Sequence, residues 1–384
     1  MRLLTYGAPG KLSRGLGRRS EARRGETGPT SGAYAPTSST LPPMHVIRAA
    51  LRAVTLSTLV AFQLSAQGID LTVNHVGIGI GDVPRVIGLR LNFRDRALER
   101  VDGVNITVWD PYDNGGHGVV HGLALGVPLT GAARIDGVGV GIFGVSARDA
   151  LRGIGVGGLG VGANDLQGLM VGGLGAGAGH DISGIVVAGL GAGTGNDLTG
   201  IIVSGLGAGA GRDAKGLMVG GLGVGAGGSA RGILIGGLGV GAGKDVEGIM
   251  VGGLGVGAGG DLTGLSIGGV GVGVGQTLRG VAIGGVGVGA VDVRGLALAG
   301  FGAGARDVRG ALVAGGWTRL EHGTLRGVAV GSFNQMKGVQ RGLAIGIVNY
   351  AEELHGAQIG LVNIARNNSP GTRVLPILNI HRGD

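Results

Sequence analysis

Written in lines of about sixteen residues, the chain places eight aspartates in one column: Asp165, Asp181, Asp197, Asp213, Asp245, Asp261, Asp292 and Asp307. Carboxylates repeated this regularly point to one of two chemistries. The first is a turn in which each Asp accepts a local backbone N–H at a solvated corner. The second is a row of calcium ions threaded along the column. Calcium repeats of the Gly-Gly-x-Gly-x-Asp kind bring the acid two residues after the third glycine. Here Gly252-Gly253-Leu254-Gly255 is followed by Val256 and Gly257, and the acid arrives only at Asp261. One acid per line, interrupted by Ser229 and Thr277, is thin for an ion that takes about six oxygens or more. The turn is the preferred reading.

Other candidate constellations are weaker. His117 and His121 lie near Asp110 and Asp113, but the intervening residues read as strand, which sets the two rings on one face and far apart. Ser183, Ser204, Ser229 and Ser266 have no recurring His partner, and there is no cysteine to act as nucleophile. Glycine strings such as "GVGVGAVDVRG" match loose phosphate-loop patterns, yet they lack both the strand–turn–helix context and a following Gly-Lys-Ser/Thr. The terminal Arg382-Gly383-Asp384 is a three-letter match without supporting context. No catalytic residue, metal or cofactor is assigned, and the chain does not read as an enzyme.

The elements that carry these residues follow from the repeat. One glycine per line marks the period: Gly122, Gly137 and Gly153, then Gly168, Gly184, Gly200, Gly216, Gly232, Gly248, Gly264 and Gly280 at intervals of sixteen, then Gly295, Gly310, Gly327 and Gly342. A helix is excluded, since each glycine costs about 1 kcal/mol against alanine in a helix interior. Alternation of apolar residues with glycine indicates strand. In the line from Gly168 to Ser183, a corner at Gly172-Gly173 lets Leu169, Val171, Leu174, Ala176, Ala178 and Ile182 share one interior. That phase turns Met170, Val186, Ile202, Met218, Leu234 and Met250 outward as an apolar interaction column. The alternative phase makes the same column core. A second candidate surface is the flat face of Gly175, Gly177 and Gly179, whose bare backbone allows close packing.

Stacking such lines gives an all-β, glycine-rich β-solenoid of 15–17-residue coils. At about 4.8 Å per coil, roughly fourteen coils make a rod on the order of 70 Å long. The absence of proline from 129 to 369 suits a backbone ladder. The rival is an outer-membrane β-barrel. Against it, no aromatic residue lies between Phe143 and Phe301, where girdles belong. Residues 67–121 are expected to be N-terminal cap strands, 122–342 the repeat, and 343–384 C-terminal repeats and a cap.

The formal charge of +8 is confined to one end. Residues 1–66 carry nine of the 32 Lys/Arg and two acids, leaving the remainder about neutral, so nucleic acid is not the expected partner. Residues 44–66, "MHVIRAALRAVTLSTLVAFQLSA", have the basic start, short apolar run and small-residue exit of a secretory signal peptide. Residues 1–43 are then a non-native or disordered extension upstream of a natural start. An exported chain with no cysteine has no disulfide staples. Partners are left open: self-association or envelope components, through the apolar or the glycine-flat face.

The stretch "GVQRGLAIGIVNYAEELHGAQIGLVNIARNN" at 338–368, with "VLPILNIH" after it, resembles the bacterial surface repeat proteins first described from Leptospira. Their units look like Gly-x-Gln-Ile-Gly-Leu-x-Asn and commonly close with a Leu-Pro-x-x-Asn segment. "GLRLNFRD…VDGVNITVWDP" is similar to the opening of their repeat domain. The centre departs from the pattern, with glycine and alanine in place of Gln and Asn across 153–305. The resemblance implies a cell-surface, outer-membrane or periplasmic location and supplies no catalytic residues.

Overall fold

The computed structural model describes residues 68–111 and 117–381. The signal-peptide segment, Asp113 and the terminal Arg-Gly-Asp lie outside them. Among the described residues every regular element is a strand. Each central coil has two: one of seven residues, such as Leu198–Ser204, and one of four, such as Gly207–Ala210. Equivalent strands of successive coils pair in parallel and in register, so Leu198 faces Ala214, Gly200 faces Gly216 and Ile202 faces Met218. The turns bond from coil to coil as well: the Leu206 N–H reaches the Leu190 carbonyl at 2.7 Å, and Gly205 N–H reaches Ala188 at 3.1 Å. Main-chain polar groups are thereby satisfied by the neighbouring coil, including in the turns, where chains are otherwise hard to pair.

This is a β-solenoid, and the barrel is overturned. A membrane barrel closes antiparallel strands on themselves. Here antiparallel pairing occurs only at the two ends, between Ile69–Val73 and Val76–Ile80 and between Ala357–Ala365 and Val374–Ile380. Those hairpins cover the open sheet edges that parallel stacking would leave available to other chains.

The marker glycine is the bend within the seven-residue strand. Its φ lies between +116° and +158° from Gly122 to Gly342, a region L side chains rarely adopt. A Cβ at Gly200 would also stand 1.9 Å from the Gly184 carbonyl oxygen. Conformation and coil spacing therefore both demand glycine. The same column continues toward the N-terminus through Gly103, Gly88 and Gly77, which pair in register, so stacking begins within 67–121.

The phase of the core differs from the expected one. Met170, Val186, Ile202, Met218, Leu234 and Met250 are buried to 1% exposure or less, and Leu169, Leu174, Ile185 and Val187 face out. Leu166 and Met170 are buried while Gln167, Gly168 and Leu169 between them are exposed, so the alternation breaks at the marker glycine and resumes from Met170 to Gly172. The corner falls after Gly172, at Gly173-Leu174. Ala176 and Ile182 are inward, as expected. Each central coil consequently buries only one to three aliphatic side chains larger than alanine, for example Ile202 alone in one coil and Met250, Val256 and Leu262 in another. Cohesion must come from neighbours stacking on both sides.

The core is polar at both ends. At the N-terminal end the buried Arg90 donates to the Val83 carbonyl (2.9 Å) and to Asn105 Oδ1 (3.1 Å), and forms an ion pair with the buried Asp95. At the C-terminal end one inward column passes from Val288 through Ala303 and Thr318 to Asn334, Asn349 and Asn363. Asn334 Nδ2 donates to Asn349 Oδ1 at 2.6 Å, and Asn349 Nδ2 to Asn363 Oδ1 at 2.7 Å. A second pair joins Gln358 Nε2 to Gln340 Oε1 at 3.1 Å. Buried amides lose much when slipped off their partners, so these ladders fix the register of the last coils.

Candidate functional site

The Asp column forms a corner ladder. Asp181 Oδ1 accepts the Asp197 N–H (3.0 Å), Asp197 that of Asp213 (3.2 Å), and Asp213 that of Ser229 (2.8 Å). Asp245 serves Asp261, Asp261 serves Thr277 and Asp307 serves Thr324 in the same way. The N–H accepted is thus not local to the turn but one coil further on. Arginines offset part of the stacked charge: Arg212 pairs with Asp197 at 2.9 Å, Arg279 with Asp261 at 2.7 Å, and Arg306 bridges Asp292 and Asp307. The Thr277 N–H, and then Arg279, hold the Asp261 carboxyl below the usual carboxylate range. Asp165 and Asp181 are in register in the same column. Apart from Asp165, each aspartate of the column accepts at least one amide or guanidinium, an arrangement that tightens the stack.

The histidine region is dispersed. His117 Nδ1 lies 3.1 Å from the Arg148 guanidinium, while His121 pairs with Asp136 at 3.4 Å. Asp110 is partly buried, and desolvation raises its carboxyl above the usual range. Among the described residues no three His, Asp or Glu side chains come together as a metal site would need.

The inverted core phase creates a different surface. One and three residues after each marker glycine, and again at the turn, an aliphatic side chain faces solvent: Ile185, Val187 and Leu190 in one coil, Ile201, Val203 and Leu206 in the next. Their exposures run from 40% to 47%, and the turn position continues through Leu222, Leu238, Leu254, Val270 and Val286 to Phe301. From Gly168 to Gly302 the eight residues that open each coil include no charge. Nine coils at about 4.8 Å, with a width of roughly 15 Å, give an apolar face on the order of 600 Å². That is at the upper end for the largest patch on a soluble monomer.

The four-residue strand is the contrast. It buries Ala208 and Ala210 and turns Gly207 and Gly209 outward. The fold does not require glycine there, since a Cβ at Gly257, Gly273 or Gly289 would meet nothing within 4 Å.

A basic column escaped the sequence reading. Arg279, Arg294, Arg309, Arg326 and Arg341 each immediately precede a marker glycine and are exposed. They pair in register down five consecutive coils. Guanidiniums at that spacing repel by roughly 1 kcal/mol per neighbouring pair even at the dielectric of water. The signal was legible as five successive Arg-Gly dipeptides at the repeat period, hidden by a net charge near zero when residues 67–384 are summed as a whole. Comparison of the chain with protein-family models, with curated proteins and with solved structures gives no match in any of the three, so the functional reading rests on the geometry of these surfaces.

Proposed function

We propose that the protein is an exported, non-catalytic rod of the cell envelope that binds a lipid surface through its aliphatic face. The observation that carries this reading is the charge-free ladder of Ile, Val and Leu running the length of the central coils. A face repeated in every coil offers a continuous surface and no single constellation for chemistry, which favours binding over catalysis. The leader-like residues 44–66 and the resemblance of the chain ends to bacterial surface repeat proteins support export.

A second copy of the chain is the competing occupant, and the uniformity of the face argues against it. One copy could slide a whole coil along another without changing a contact. From Gly168 to Val286 the face carries none of the aromatic or arginine anchors on which specific protein interfaces concentrate their energy. A fluid lipid surface needs no register. If a third of the roughly 600 Å² left water, the gain would be about 5 kcal/mol, a reversible attachment comparable to that of a single acyl anchor.

Sedimentation of the full chain with phosphatidylcholine vesicles tests the proposal. The chain should pellet with vesicles, and a variant carrying Leu190→Ser, Leu206→Ser, Leu222→Ser and Leu238→Ser should remain in the supernatant with its fold intact. A wild-type chain that ignores vesicles and sediments alone as a dimer, with the variant monomeric, would overturn it in favour of self-association.

A further inference from the structure

We propose that the C-terminal coils select anionic lipid, with the arginine column taking the phosphate of the head group and an apolar groove beside it taking the acyl chain. The inference rests on the lipid-binding reading above and adds a site and a ligand chemistry to it. On five successive strands the order is arginine, marker glycine, then aliphatic residues one and three positions later, as in Arg294-Gly295-Leu296-Ala297-Leu298. Charge and apolar surface therefore alternate with a fixed offset of two to four residues along each strand, on the order of 7–13 Å. That offset suits an amphiphile with an anionic head.

The positive charge is available. Arg279 is held by Asp261, but Arg294, Arg309, Arg326 and Arg341 form no ion pair among the described residues. The acids nearest in sequence are already engaged: Arg306 holds Asp292 and Asp307 at 3.0 and 3.1 Å, and the Thr324 N–H occupies the other oxygen of Asp307. Arg294, Arg309 and Arg326 line a small polar groove of about 200 Å³ together with those spent acids. Stacked guanidiniums with no partner gain from phosphates that bridge them, because each oxyanion relieves two repulsions at once and accepts charge-assisted hydrogen bonds. At the C-terminal end of the aliphatic face the strands of Arg309, Arg326 and Arg341, together with the terminal hairpin, open an apolar groove of about 700 Å³, lined by Val313, Val330, Ile345, Ile359, Leu361 and Ile377. A free polyanion would use the arginines and leave this groove empty; a phospholipid uses both.

The full chain is tested by sedimentation with vesicles of phosphatidylcholine alone and of phosphatidylcholine containing one part in three of phosphatidylglycerol. Wild type is compared with the triple variant Arg294→Gln, Arg309→Gln, Arg326→Gln and with a control of equal charge, Arg85→Gln, Arg148→Gln, Arg212→Gln. Each arginine near an anionic surface contributes about five-fold in partitioning. The ladder variant should therefore lose on the order of 100-fold on anionic vesicles, the control should keep most of its binding, and all three should bind neutral vesicles equally. Equal losses in the ladder variant and the control would overturn the inference by showing that net charge alone matters. Neutral binding with no gain from phosphatidylglycerol would overturn it while leaving the aliphatic-face reading standing, whereas failure on both kinds of vesicle would remove that reading too. Inorganic polyphosphate binding the ladder more tightly than the anionic vesicles would overturn it in favour of a soluble polyanion.

Discussion

Two glycines in neighbouring coils should respond to the same substitution in opposite ways. Gly232 has φ +119°, and a Cβ there would lie 2.1 Å from the Gly216 carbonyl oxygen. Alanine in that backbone region costs about 1–3 kcal/mol. Relieving the contact requires the coils to part by about 1 Å, which disrupts the ladder between Ala214–Gly220 and Ala230–Gly236. Two weakened backbone hydrogen bonds at about 1 kcal/mol each bring the total for Gly232→Ala to roughly 3–5 kcal/mol. Gly257 lies outside the left-handed region and has nothing within 4 Å of its Cβ position. Gly257→Ala should therefore be neutral or stabilise by up to about 1 kcal/mol, because the unfolded chain loses freedom. A stack of repeats need not unfold in one step, so thermal melting should be read together with amide hydrogen exchange. Gly232→Ala should lower protection over residues 214–252 and leave the distal coils unchanged. Equal protection in the two variants would refute the argument that coil spacing and φ dictate the marker column.

Three further outcomes follow from the core and its ladders. Met218→Ala should cost about 2–5 kcal/mol, and Leu222→Ala, half-exposed at the turn, about 0.5 kcal/mol or less; denaturant midpoints that rank them the other way would restore the opposite core phase. Asn349→Ala removes the donor to Asn363 Oδ1 and to the Ile359 carbonyl, and should cost about 2–3 kcal/mol, read as lost exchange protection confined to the final coils. The depressed Asp261 carboxyl stabilises the fold above the ordinary carboxylate range, and that contribution disappears as pH falls through its lowered folded-state value. Asp261→Asn, which keeps an acceptor for the Thr277 N–H but carries no titrating charge, should melt with a shallower dependence on acid pH than wild type; identical slopes would sink the assignment.

The architecture was legible because the repeat states it directly. Sixteen-residue intervals, no proline and a glycine at every bend leave few alternatives to stacked coils. The phase of the core was not legible from hydrophobicity, since stretches such as Ile201-Ile202-Val203 are aliphatic at every position and either parity can be buried. Side-chain shape held part of the missing information. Unbranched Met170, Met218 and Met250 occupy the interior, where a flexible side chain fills a narrow space, but β-branched Val186 and Ile202 share that column while Ile185, Val187, Ile201 and Val203 lie on the outer face, so shape marks the phase only in the methionine-bearing coils. The aspartates were identifiable as turn residues, but not their acceptance of an amide sixteen positions on, because that contact exists only once coils are stacked. The Gln and Asn units at the C-terminal end became interpretable for the same reason, as amides that bond to their own equivalents in adjacent coils.

In-register stacking also makes the coil a unit of inheritance. Joining Gly216 directly to Ile233 removes one complete turn and returns each remaining side chain to an equivalent neighbour, since Leu217 and Ile233 occupy the same rung. Lines of fifteen and seventeen residues are absorbed near the corner, where pairing shifts between Val274 and Thr277 and between Glu321 and Thr324, away from the aliphatic columns. Slippage between near-identical gene segments would therefore lengthen or shorten the molecule in steps of about 4.8 Å. Such changes alter how much surface the protein presents while conserving the chemistry of that surface.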